Sequence, residues 1–171
     1  MKAIKFTTSM AYCDRRHYLT EDDVRVLPSR LPPDTYSRLR HVHFNDRSRG
    51  ARVLGYVNRG RREIAICALP PRVSMTRFLV RRQSPAQFGA RRGAQWPEEA
   101  VRRYMLYDVF LHELGHLQIV HAHLKDERRR FAMETRAQEF CDYWRGVLWS
   151  EHFNHPDPIH NPPSKNSSAL S

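Results

Sequence analysis

Long apolar runs are missing from this chain. No stretch approaches the ~20 consecutive apolar residues of a membrane-spanning helix, so no membrane partner is expected. The start is equally poor in apolar residues: Lys2 and Lys5 lead into Asp14, Arg15 and Arg16, and no signal peptide is expected. Cysteine is sparse. Cys13, Cys67 and Cys141 are an odd number, far apart and without a CxxC pair. That excludes a disulfide framework and zinc-finger spacing, and it reads as reduced thiols in a cytoplasmic protein. Lysine is nearly absent, found only at positions 2, 5, 125 and 165.

Arginine therefore carries the positive charge. With 29 basic against 18 acidic residues the net charge is +11, a balance that favours polyanions. The doublets Arg15-Arg16, Arg61-Arg62, Arg81-Arg82, Arg91-Arg92 and Arg102-Arg103 are scattered rather than gathered in a block, which suits a solvated surface better than a binding track. No recognition helix or RNA-binding signature accompanies them. At 171 residues, 40% apolar and 27% charged, the chain has the makings of one soluble domain with a modest core.

Residues 1–40 read as an N-terminal segment with short helices. Ala3, Ile4 and Phe6 suggest an edge strand, and Thr20-Glu21-Asp22-Asp23 marks a helix start that runs to about Leu27, before Pro28. A second short helix follows Pro32-Pro33-Asp34. Strands are expected at 41–46, 52–57 and 63–69, the last two joined by the turn Asn58-Arg59-Gly60-Arg61, giving a small, mostly antiparallel sheet. His41 and His43 share one face of their strand, which reads as a solvated face. Residues 72–95 are loop-like, either bordering a substrate cleft or crossing the surface.

Trp96-Pro97-Glu98-Glu99 opens a long helix whose apolar pattern continues to about Val120. A second helix spans 131–149, and 150–171, rich in His, Pro, Ser and Asn, is expected to be extended or disordered. The fold class is thus α+β: a small sheet packed on one long helix and a second, C-terminal helix, with the main domain at 41–149.

The long helix carries His112-Glu113-Leu114-Gly115-His116. Residues four apart lie one above the other on a helix, so His112 and His116 can offer two imidazole nitrogens to one metal ion, with Glu113 beside them as general base for a water. Leu111, Leu114 and Leu117 supply the apolar setting, and Gly115 costs about 1 kcal/mol against Ala unless another element packs closely there. Catalytic zinc takes three protein ligands. His123 lies two turns beyond His116, too far for one ion, and Ile119 and Ala122 occupy the positions where metzincins need Gly and His. A glutamate from the next helix is the better geometry, and both Glu134 and Glu139 qualify.

Together with Glu134-x-x-Ala137-x-x-Phe140-Cys141, the HExxH segment resembles the gluzincin metallopeptidases, particularly the minigluzincins and ImmA/IrrE-type peptidases. The resemblance covers roughly residues 40–148 and is specific at those two motifs. It implies a zincin-like fold, a Zn2+ cofactor held by His112, His116 and Glu134, and Glu113 as catalytic base. It also implies an edge strand that receives an extended peptide or protein substrate. Gln138 stands where that family has Asp or Asn as partner of a metal-bound His, and Asp108 or Asp142 is a candidate substitute. Tyr107, Tyr143, His121 and Arg136 are candidate donors to the oxyanion. The rival reading is a basic nucleic-acid-binding or regulatory protein whose metal site is structural or inactive.

Overall fold

The computed structural model describes residues 3–12, 14–48, 52–119, 127–151 and 153–163. It is α+β. Four strands, β1 (Lys5–Thr8), β2 (His41–Asn45), β3 (Gly55–Asn58) and β4 (Glu63–Cys67), form one sheet in the order β1-β2-β4-β3. The expected antiparallel sheet is corrected to a mixed one. β1 and β4 both run parallel to β2, and only β3 and β4 pair antiparallel. The reason lies in the connections. The segment between β1 and β2 includes α1 (Glu21–Arg30), a crossover that returns the chain in the same direction. The connection after β2 skips one position, and the β3–β4 hairpin then folds β4 back into the gap.

Thr20 and Asp23 start α1 with a reciprocal cap: the Thr20 hydroxyl accepts from Asp23 N at 3.2 Å, and the Asp23 carboxylate accepts from Thr20 N at 2.8 Å. The helix continues through Pro28 to Arg30 rather than stopping before it, without the bond that a residue-28 N–H would have made to Val24 O, and Leu31 N closes its end on Leu27 O at 2.9 Å. Pro33–Tyr36 makes a single 3-10 turn.

Alternation along β4 divides the sheet into two faces. Ile64 and Ile66, with Val42 and Phe44 of β2, point into the core, which also takes Leu27, Tyr104, Met105, Phe110, Leu111 and Ile159. The helix opening at Glu98 is three segments in one: α2 (Glu98–Tyr104), a π-helical stretch at Met105–Phe110, and α3 (Leu111–Gln118). All six π-stretch residues are buried. Two carbonyls of this stretch also meet the next helix, α4 (Glu127–Ser150): Cys141 Sγ lies 3.5 Å from Tyr107 O and 3.4 Å from Asp108 O. Residues 72–95 form two 3-10 turns, Met75–Phe78 and Pro85–Phe88, that bury Met75 and Phe88, the latter edge-on against Tyr104 of α2. No described helix is long and apolar enough to cross a membrane.

Beyond α4 the chain departs from the expected extended or disordered tail. Residues 153–163 fold back, and a 3-10 turn at Pro158–His160 buries Ile159 and His160. Arg103 fastens this segment, donating to Pro158 O at 2.8 Å and Asn161 O at 3.2 Å. Arg102 adds an ion pair to Asp157 at 2.7 Å, so a buried isoleucine and a few polar anchors override a polar composition. Residues 164–171 lie outside the described residues.

His160 sits 3.0 Å from Tyr107 Oη through Nδ1. Burial, then repulsion from His155, holds its pKa down at about 4, against the opposing pull of Asp23 and Asp157 and with Arg102 adding to the depression. The unfolded chain, with the ordinary value of 6.5, therefore binds the extra proton first as pH falls. Stability contributed by this group is fully present above pH 6.5 and is lost as pH falls toward about 4. Urea-unfolding midpoints should decline across that window, and His160→Gln should flatten the decline relative to wild type.

Candidate metal centre

α3 and α4 pack closely enough to be one unit, and the glycine in the motif explains how. A Cβ at Gly115 would lie 3.0 Å from Ala137 O, 3.1 Å from Ala137 Cα and 3.2 Å from Phe140 Cδ1. Two of those neighbours are backbone atoms that cannot step aside. The position therefore accepts a helix-weakening residue in return for a short interhelical distance.

That distance brings Glu134 to the histidines. Its carboxylate Oε2 is 3.2 Å from His112 Nε2 and 3.3 Å from His116 Nε2. The donor atoms of the three residues all lie within 4.8 Å of one another. Glu139, the alternative third ligand, is five residues farther along α4 and is not in this group. His121 and His123 lie outside the described residues.

His112 is oriented from behind. Its Nδ1–H donates to Gln138 Oε1 at 3.0 Å, which leaves Nε2 with its lone pair facing Glu134. Gln138 is held in turn: its Nε2 donates to Asp142 Oδ1 at 3.0 Å and to Asp108 Oδ1 at 3.4 Å. Neither acid takes the place of Gln138 beside the imidazole. Both sit one step farther out and fix which end of the amide faces it. Arg145 reaches Asp108 and Asp142 together, and Gln83 of the 72–95 segment also donates to Asp108.

Electrostatics suit a cation. Desolvation holds the His116 pKa below its ordinary value, with Glu134 opposing, so the ring is neutral and ready to donate a lone pair. Glu113 is pushed up to about 7, chiefly by desolvation; His112 opposes the shift and Glu134 adds to it. Two imidazoles and one carboxylate are the donor set of a three-ligand zinc site that keeps an open position, so the residues present fit that ion.

The group opens on a cleft of about 380 Å³ lined by Gly55, Tyr56 and Val57 of β3, by Arg59, by His112, Glu113 and His116, and by Arg130, Met133 and Glu134 of α4. β3 passes tightly over the base: a Cβ at Gly55 would lie 3.4 Å from Glu113 Cγ and 3.0 Å from Val109 Cγ1. The 72–95 segment contributes nothing to this lining and instead buttresses Asp108. Of the expected oxyanion donors, Tyr107 is buried against His160, Tyr143 meets Trp144 edge to face, and neither they nor Arg136 line the cleft. Arg59 and Arg130 do, unforeseen. Arg59 sits in the hairpin turn already legible at Asn58–Arg61, and its Nη1 donates to Ile119 O at 2.9 Å.

Zinc bound per chain of purified protein should be one equivalent higher in wild type and in Glu139→Gln than in His112→Ala or His116→Ala. Gln138→Ala should weaken zinc about 10- to 100-fold by freeing the His112 ring. Gly115→Ala gains about 1 kcal/mol of helix propensity but overpacks the α3–α4 contact by about 1–3 kcal/mol. Denaturant titration should show net destabilisation together with weaker zinc binding.

No family model, no curated protein and no solved structure matches this chain.

Proposed function

We propose that the chain is a zinc-dependent metallopeptidase of the gluzincin type, with a zincin-like arrangement of sheet and helices. The observation that carries this reading is the convergence of His112, His116 and Glu134 with a desolvated Glu113 in one cleft, beneath the edge strand β3. Zinc, held by those three side chains, supplies a Lewis acid that acidifies water and polarises a carbonyl.

The chain's own residues do the remainder. Among the described residues β3 has an unpaired outer side, being last in the strand order, and an extended peptide can add to it. That places a scissile amide over the cleft floor. Glu113 has a pKa near the operating pH because water is kept from it, which is the condition for efficient proton transfer. It takes a proton from the attacking water as the oxygen–carbon bond forms, and delivers it to the departing amine as the carbon–nitrogen bond breaks. Gln138, with Asp142 and Asp108 behind it, keeps the His112 ring turned toward the cleft. An amide is a weaker partner than an acid for that imidazole, so the two carboxylates behind it compensate by polarising its carbonyl.

Glu113→Gln tests the mechanism. The variant should keep stoichiometric zinc and lose hydrolysis of a fluorescent casein substrate by about 10²-fold or more. Undiminished hydrolysis would sink the role of Glu113, and a wild-type protein without zinc would sink the whole reading.

A further inference from the structure

We propose a second metal site on the opposite face of the sheet, where His41, His43 and Thr7 take a late first-row divalent cation such as Zn2+ or Cu2+. Register sets the face. Gly55, paired with Ile66, abuts Val109 and Glu113, so the Ile64/Ile66 side of β4 meets the helices. Glu63 lies on the other side by alternation, and its parallel partner is His41. Thr7 of β1 is in register with His43.

Four polar side chains run in a line across three strands. Glu63 Oε2 is 2.6 Å from His41 Nδ1, His41 Nε2 is 2.7 Å from Thr7 Oγ1, and Thr7 Oγ1 is 2.8 Å from His43 Nδ1. Ser9 Oγ follows, 3.3 Å from His43 Nε2. The Glu63 carboxylate can only accept, so His41 Nδ1 carries the proton and its Nε2 presents a lone pair. The Thr7 hydroxyl has one proton, which serves His41 and none other. His43 then meets that oxygen either as an Nδ1–H donor or, with its proton on Nε2 facing Ser9, as a second lone pair.

In the second tautomer both imidazole nitrogens turn lone pairs to the Thr7 oxygen, at 2.7 and 2.8 Å, and its one proton can meet only one of them, whereas a cation meets both. Imidazole with a hard oxygen suits Zn2+ and Cu2+. A carboxylate behind a histidine is the outer support that metal-bound histidines use, and Glu63, 7% exposed, is well placed to hold the ring. His41 is 22% exposed, so an ion can enter from solvent.

Other clusters of possible ligands already hold a positive charge. Asp23, Asp157 and His160 also lie close together, but Arg102 bridges the two acids at 2.7 Å each. Asp108, Cys141 and Asp142 are likewise occupied by Arg145. In both, a guanidinium already supplies the positive charge. No guanidinium contacts the His41–His43 pair among the described residues.

The test uses the full chain carrying His112→Ala and His116→Ala, which removes the first centre. Equilibrium dialysis with Zn2+ should find one equivalent bound, and Cu2+ should give an electron paramagnetic resonance spectrum with coupling to two imidazole nitrogens. Adding His41→Ala and His43→Ala should abolish both signals, and adding Glu63→Gln alone should weaken binding about 10- to 100-fold. His43→Gln keeps an acceptor for Thr7 and serves if the double alanine variant unfolds; it too should lose the second nitrogen. The proposal is overturned if the starting variant binds no ion, or if its binding is unchanged by the His41 and His43 substitutions. Neither outcome bears on the peptidase reading, which rests on the other face.

Discussion

The close approach of two helices at Gly115 and Ala137 is the constraint on which the rest of the site depends. Glu134 makes few contacts of its own: its side chain is 63% exposed, against 19% for His112 and 13% for His116. Nothing local would hold its carboxylate beneath the imidazoles if α3 and α4 moved apart. Its position is inherited from backbone packing one turn away. A glycine in mid-helix, unfavourable by about 1 kcal/mol in isolation, is therefore a condition of site geometry rather than a defect. Ala137, fully buried, is the matching small residue on α4.

A second dependence runs outward from His112. Gln138 fixes the ring, Asp142 and Asp108 fix Gln138, and Arg145 ties the two acids together with its side chain 9% exposed. Buried charges are tolerated when each has a partner, and here Asp108 also receives Gln83 from a distant segment. The π-helical stretch belongs to the same arrangement. It presents the Tyr107 and Asp108 carbonyls to Cys141 and Arg145, so α4 is bonded to the backbone just before the HExxH turn.

Much of this was legible from residue pattern. The alternation at 41–46, the turn at Asn58–Arg61 and the cap at Thr20 correspond to β2, the β3–β4 hairpin and α1. The HExxH spacing and Glu134 pointed to one place, and the structure brings those side chains together. What stayed hidden is non-local. Strand direction depends on the crossover through α1, not on alternation within any strand. The turn at 158–160 is held by Arg103, 55 residues earlier, and a composition window does not register a single buried isoleucine. The role of Gln138 was half visible: its amide oxygen could be foreseen beside an imidazole, but not that two acids would stand behind it. Arg59 and Arg130 were invisible as cleft residues because an arginine-rich sequence gives every arginine the same appearance.

The sheet shows how one small element can serve two chemistries. Alternation gives β4 an apolar side, Ile64 and Ile66, which must meet the helices, and a side at Glu63 and Ala65 that need not. Burying the first face fixes the register of β1, β2 and β4, and fixed register places Thr7, His41, His43 and Glu63 in line on the second. A one-residue slip of β2 would send Val42 outward and both histidines into the core, at a cost no hydrogen-bond line could offset. The apolar face therefore determines the polar one. The energy that aligns the outer histidines comes from the inner isoleucines, just as the energy that places Glu134 comes from Gly115 and Ala137. In both cases donor atoms that contribute little to folding are held by packing that does.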